Sequence, residues 1–196
     1  MPGGAGRVIL ASASPRRRDL VSLIIDRFDV VPSDFDEDSV PGGLDPPRHV
    51  VYSAEMKALK TASSRPGALV IAADTVVVID GRILGKPADE DDAARMLRLL
   101  SGRTHQVYTG VAVARDGVLR SDFECTQVTF RRLSEDLIAR YVASGEPMDK
   151  AGAYAIQGKG GVLITGIRGC WFNVVGLPLY KLSRLLEEFG IEPLST

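Results

Sequence analysis

The sequence predicts a mixed α/β protein with a twisted central sheet flanked by helices. Three observations lead there. The run "ALVIAADTVVVID" (68–80) is apolar and rich in β-branched residues, and the following Asp80-Gly81 step is a hairpin turn dipeptide. Three later segments, "DEDDAARMLRLLSG", "LSEDLIARYVASG" and "LPLYKLSRLLEEFG", repeat apolar residues at helical spacing and each ends on glycine. Strand-like and helix-like segments alternate with no internal repeat or low-complexity linker, so residues 1–196 read as a single domain.

The elements follow in order. "RVILA" (7–11) reads as a short buried strand. Ser14 and Pro15 suit the N-cap and first position of a helix, because proline lacks an N–H that the first turn would leave unsatisfied. "FDVVP" (28–32) reads as another strand, followed by the acidic stretch "SDFDEDS". Pro46-Pro47 opens a helix to about residue 63. Ala93, Met96, Leu97 and Leu100 line one helix, stopped at Gly102; Ser134 caps the next, stopped at Gly145; Leu182, Leu185, Leu186 and Phe189 line the last, stopped at Gly190. "HQVYTGVAVA", "DFECTQVTF", "GVLIT" and "WFNVV" read as β-prone runs between them.

Composition narrows the function class. The 196 residues suffice for a sizeable core, and 45% hydrophobic with 25% charged residues is ordinary for a globular protein. A net charge of −1 argues against bulk attraction to nucleic acid or membrane, so any basic site is local and no stable nucleic-acid partner is expected. No apolar run approaches the ~20 residues needed to cross a bilayer. The stretch "MPGGAGRVILASAS" is too short and weakly flanked for a secretory signal. Cys125 and Cys170 lie far apart without metal-ligand spacing; a reduced, cytoplasmic protein is the simplest reading and one disulfide the alternative.

Four stretches could carry chemistry. In "LASASPRRRDL", Arg16, Arg17 and Arg18 crowd a helix start whose dipole is already positive, an arrangement that an anion would reward. Ser12 and Ser14 offer hydroxyls, the first turn offers N–H groups, and the guanidinium fork matches phosphate oxygens. The glycine spacing of a Walker loop is missing. The alternative is a solvated basic turn paired to acids such as Asp19. The cluster Asp34, Asp36, Glu37 and Asp38 offers oxygen ligands suited to Mg²⁺ or Mn²⁺, or is simply a solvated loop. Asp74 interrupts an apolar strand, where a carboxylate is unusual unless paired; it is poised as proton acceptor or metal ligand, or forms a turn at Thr75. Lys57 falls on the same helical face as Val50, and Lys86 sits in a rigid Gly-Lys-Pro turn. "EPMDKAGAYAIQGKGG" (146–161) carries Gln157, whose amide can donate and accept at a nucleobase edge, in a segment that otherwise reads as a flexible loop. His49 and His105 are isolated, and Trp171 reads as a packing residue.

Together "LASASPRR", "ADTVV", "GKPAD", "LSGRTHQVYTGVAV", "EPMDKAGAYAIQG" and "NVVGLPL" resemble, in order and spacing, the Maf family of nucleoside triphosphate pyrophosphatases. The resemblance covers nearly the whole chain. It implies the fold of the inosine triphosphate pyrophosphatases, with an active-site cleft between two lobes, a divalent ion (Mg²⁺ or Mn²⁺) and a homodimer. It also implies hydrolysis of a nucleoside triphosphate to monophosphate and pyrophosphate. By position, Asp74 matches the proton acceptor, and Arg16, Thr75 and Gln157 match residues linked to substrate choice. Ser14, Arg17, Lys57 and Lys86 match the phosphate site, and Asp36 or Glu37 matches an acid that holds metal with Asp74. The form with Gln157 looks like the branch acting on dTTP and UTP. Alternatives are a house-cleaning enzyme for modified nucleotides such as 5-methyl-UTP, pseudo-UTP or 7-methyl-GTP, and a non-catalytic regulator of septum formation.

Overall fold

The computed structural model describes residues 7–194. The N-terminal residues 1–6, weighed above as part of a leader, lie outside the described residues.

Short-range chemistry sets most helix starts. The Ser14 side chain accepts the Arg17 N–H and caps α1 (Pro15–Val21), with Pro15 at its first position. Asp45 accepts the Arg48 N–H and caps α2 (Pro46–Ser63). Asp89 and Ser134 do the same for α3 (Glu90–Leu100) and α4 (Glu135–Val142). Two short helices follow, α5 (Trp171–Val175) and α6 (Leu179–Glu188). No helix among the described residues is long and apolar enough to cross a membrane.

Among the described residues seven strands form the sheet: β1 (Val8–Leu10), β2 (Asp29–Val30), β3 (Leu69–Ile79), β4 (Arg82–Leu84), β5 (Thr104–Arg115), β6 (Val118–Phe130) and β7 (Ile164–Arg168). Their order is β2-β1-β3-β5-β6-β7, with β4 paired to β3. β1 runs parallel to β2 and β3, with Ile9 opposite both Asp29 and Val70. β4 and β7 run antiparallel to β3 and β6. Asp80-Gly81, between β3 and β4, has φ of 51° and 72°, the left-handed pair that a two-residue hairpin requires.

The chain divides into two compact units: Met1–Asp74 with Thr109–Glu124 and Gly176–Thr196, and Thr75–Tyr108 with Cys125–Val175. Strands β3, β5 and β6 contribute residues to both. The core of the first unit is built from small side chains. Ala54 and Ala58 of α2 pack with Ile9, Ala11, Val70, Ala72, Ala112 and Ala114 of the sheet. A Cβ at Gly110 would lie 2.2 Å from the Val50 carbonyl oxygen, so only glycine lets β5 approach the α2 backbone this closely. The buried face of α2 reads Val50, Ser53, Ala54, Lys57, Ala58 and Thr61. That spacing carries Lys57 into the interior as part of the packing stripe.

The core of the second unit is larger-grained, with Met96, Leu97 and Leu100 of α3, Phe130, Ile138, Tyr154 and Leu163. His105 is buried within it: Nε2 is 2.7 Å from the Tyr154 hydroxyl, and Nδ1 has no hydrogen-bond partner. Phe130 and Tyr154 pack edge-on against its ring at centroid distances of 5.0 and 5.3 Å.

Three expectations need correction. "WFNVV" is helical (α5), because the buried Asn173 donates to the Val107 carbonyl and to Thr126 Oγ1, both at 2.9 Å, and these bonds outweigh the β-propensity of its neighbours. Trp171 is 39% exposed and stacks edge-on with Phe172 at 5.4 Å; it is not a core packing residue. "GVLIT" begins inside a 3₁₀ turn (Gly158–Leu163), and its strand starts only at Ile164, because the Lys159 and Gly160 N–H groups bond to Glu146 rather than to a sheet neighbour.

Candidate active site

The three arginines at the start of α1 have separate fates. Arg18 is exposed and pairs with Asp19 at 3.2 Å, the solvated reading. Arg17 turns inward: Nε donates to the Gly176 carbonyl at 2.8 Å, and Nη1 to the Ala73 carbonyl at 2.9 Å and Ser12 Oγ at 3.5 Å. Ser12, buried, also accepts the Ser14 N–H at 3.2 Å. Arg17 thus ties the turn between β1 and α1 to the backbone beside Asp74. Burial has the largest influence on its guanidinium and lowers its pKa; Asp74 opposes that shift, Arg16 reinforces it and Glu37 opposes it. The group stays protonated at neutral pH. Arg16 lies half-buried in the first turn.

Asp74 and Thr75 are the only positions of β3 that are not fully buried. Asp74 lies within the strand, not at a turn, and its side chain is 13% exposed. Lys57 Nζ lies 2.6 Å from Asp74 Oδ1 and 2.6 Å from Glu37 Oε1, with the lysine side chain only 9% exposed. One ammonium therefore gathers two carboxylates that would otherwise repel. A buried lysine needs such partners.

Two other members of the acidic stretch are committed elsewhere. Asp34 pairs with Lys60 at 3.4 Å. Asp36 caps its own 3₁₀ turn, Oδ1 accepting the Asp38 N–H at 3.1 Å, which leaves Glu37 as the acid brought to Asp74. Among the described residues no three His, Cys, Asp or Glu side chains gather to hold a metal ion. The Glu37 and Asp74 oxygens nevertheless surround one cation, the Lys57 ammonium. That pair suits a hard divalent ion, since Mg²⁺ commonly takes one or two protein carboxylates and completes its shell with water and phosphate oxygens.

The structure thus brings together Ser12, Ser14, Arg17, Glu37, Lys57 and Asp74, all in the first unit. Thr75, Lys86 and Gln157 belong to the second. Lys86 is exposed in the loop after β4. That loop is tied to the following glycine-rich segment by the Gly152 N–H, which donates to the Gly85 carbonyl at 2.9 Å. Gln157 is exposed at the start of the 158–163 turn.

Glu146 was not singled out by the sequence. It accepts from the Tyr141 hydroxyl and from the backbone of Lys159 and Gly160. The one available signal was an acid directly after a helix-ending glycine, at the head of a glycine-rich segment.

The chain is similar to several known proteins. The profile of a family described as "Maf-like protein" matches residues 7–189. A protein of Pelotomaculum thermopropionicum named "dTTP/UTP pyrophosphatase" is 51% identical over 185 residues, covering 93% of this chain and 96% of that one. A protein of Bacillus pumilus with the same name is 48% identical over 187 residues, covering 95% and 98%. A solved structure described as a HAM1 protein from Coxiella burnetii aligns over 66% of this chain and 75% of its own, with a TM-score of 0.46 and 20% identity. With the profile spanning almost every described residue and such relatives matching end to end, the chain belongs to the Maf-like protein family.

Proposed function

We propose that this protein hydrolyses dTTP and UTP to the nucleoside monophosphate and pyrophosphate. The observation that carries the reading is the largely shielded Asp74 carboxylate, held at 2.6 Å by a buried lysine that also holds Glu37. The names of the relatives supply the substrate class.

In this reading a water oxygen attacks the α-phosphorus while the bond from that phosphorus to the β-phosphate bridging oxygen breaks. Asp74 accepts the water proton, and pyrophosphate leaves with the bonding electrons. Glu37 and Asp74 would hold the divalent ion, Mg²⁺ or Mn²⁺; when bound it supplies charge neutralisation and makes water more acidic. Lys57, Lys86 and Arg16 meet the negative charge growing on the leaving group. Ser12 and Ser14 receive phosphate oxygens at the start of α1. Arg17 holds the Ala73 carbonyl and so fixes the strand at Asp74. Gln157, helped by Thr75 and Arg16, selects the base. Its amide pairs a donor and an acceptor with the N3–H and carbonyl edge shared by uracil and thymine, and the thymine methyl lies off that edge. The reading includes a cytoplasmic homodimer.

The test is pyrophosphate release from UTP, dTTP, CTP, GTP, ATP, 5-methyl-UTP, pseudo-UTP and 7-methyl-GTP, first with Mg²⁺ and then with EDTA. The expected result is metal-dependent release, strongest with UTP and dTTP. Strongest release from a modified nucleotide would move the substrate to the house-cleaning class. Saturable binding without turnover would make the protein a nucleotide-binding regulator.

A further inference from the structure

The loop bearing Gln157 is fastened at both ends. Glu146 Oε1 accepts the Tyr141 hydroxyl at 2.9 Å and the Gly160 N–H at 2.8 Å, and Oε2 accepts the Lys159 N–H at 3.0 Å. Tyr141 Oη in turn accepts the Ala155 N–H at 3.2 Å. The Glu146 carbonyl accepts from Lys150 Nζ at 2.8 Å, which anchors the head of the same segment. Ala155 on one side and Lys159-Gly160 on the other are therefore held by one tyrosine–glutamate pair, with Gln157 exposed between them.

The closure is tight enough to dictate sequence. A Cβ at Gly160 would lie 2.2 Å from the Ala155 carbonyl oxygen and 2.6 Å from Tyr141 Oη. A Cβ at Gly158, where φ is +76°, would lie 2.7 Å from Glu146 Oε2. Burial pushes the Glu146 pKa up, but the Gly160 and Lys159 N–H groups, the Tyr141 hydroxyl and the Lys150 charge together pull it below the usual carboxylate value. The group is ionised at neutral pH and keeps every acceptor site.

We propose that Tyr141 and Glu146 are positioning residues for base selection: by clamping residues 155 and 159–160 they present the Gln157 amide in one orientation. The proposal rests on the hydrolysis of UTP and dTTP proposed above, with Gln157 as the base reader. The physical reason is positional. An amide discriminates one base edge from another only when held within about 0.5 Å of its working geometry. A loop containing Gly158, Gly160 and Gly161 has no such stiffness of its own. Cytosine, which reverses the donor and acceptor roles at N3 and position 4, is the base that a loosened amide would cease to reject.

The experiment measures kcat and KM separately for UTP and CTP in the wild-type protein and in Tyr141→Phe, Glu146→Gln, Glu146→Ala and Gln157→Ala. Tyr141→Phe and Glu146→Gln are expected to lower the UTP:CTP ratio of kcat/KM by about tenfold, the effect of roughly one lost hydrogen bond. Most of that change should appear as a higher KM for UTP. Glu146→Gln, which keeps one acceptor oxygen, should lose less than Glu146→Ala; if the alanine variant does not fold, the two milder variants decide. A merely structural role would weaken turnover of both nucleotides alike and leave the ratio unmoved, and that result in folded Tyr141→Phe and Glu146→Gln overturns the clamp. Wild-type protein that hydrolyses neither nucleotide overturns the proposed function itself. A Gln157→Ala variant as selective as wild type overturns the base-reading role, and the clamp with it.

Discussion

Asp74→Asn is expected to leave the protein folded and to reduce UTP turnover by about 10²–10⁴-fold, the usual range for loss of a general base. The substitution keeps the shape of the side chain and an oxygen for Lys57, which lies 2.6 Å away. It removes the negative charge and the ability to take a proton from water. It also removes one of the two carboxylates proposed to hold the divalent ion. Lys57 keeps Glu37 at 2.6 Å as a full counter-charge, so the buried ammonium is not abandoned and the fold should survive. The check is pyrophosphate release at saturating UTP, with circular dichroism and a thermal melt to confirm the fold. Turnover within a few-fold of wild type in a folded variant would remove Asp74 from the chemistry.

The second large effect concerns stability. Burial pushes the His105 pKa down from the ordinary 6.5 to about 4. The ring bonds the Tyr154 hydroxyl through Nε2 alone, and the rings of Phe130 and Tyr154 pack edge-on against it. A second proton would place a charge and an unpaired donor at Nδ1 inside an apolar core. Between pH 6.5 and about 4 the unfolded chain binds this proton and the folded chain does not. The contribution of His105 is therefore present in full above pH 6.5 and is lost as pH falls through that window, reaching about 3 kcal/mol near pH 4. Urea unfolding of wild type and His105→Gln across this range isolates the effect. The glutamine variant should be less sensitive to acid by up to that amount, and identical pH slopes in the two proteins would contradict the assignment.

Where local chemistry sets the structure, the sequence was a sufficient guide. Helix α2 runs from Pro46 to Ser63 as expected, because its cap and its prolines lie within its own first turn. Asp74 was conspicuous because a carboxylate within an apolar strand needs a reason. Its partner was harder to read. Lys57 meets Asp74 and Glu37 only because Gly110 and a layer of alanines let α2 lie close to the sheet, and the sheet side of that layer, Ala72, Gly110, Ala112 and Ala114, is far from Lys57 in sequence. The run of arginines shows the same limit. Arg17 and Arg18 are neighbours of one type, yet one is turned to the Ala73 and Gly176 carbonyls and the other to Asp19. Which one turns inward is fixed by the direction each takes from the helix, and the acceptors that receive it come from distant segments. "WFNVV" misled because the bonds that wind it into α5 come from Val107 and Thr126. Glu146 stayed hidden because two of its partners are backbone N–H groups, which leave no mark on composition.

The most direct test of the chemistry is to hydrolyse UTP with this protein in oxygen-18-labelled water and find which product carries the label. Water attack on the α-phosphorus puts the heavy oxygen into UMP and leaves the released pyrophosphate unlabelled, the result expected here. Label in pyrophosphate, or release of orthophosphate and UDP, would mean that water attacks another phosphorus, and the mechanism built around Asp74 would be wrong.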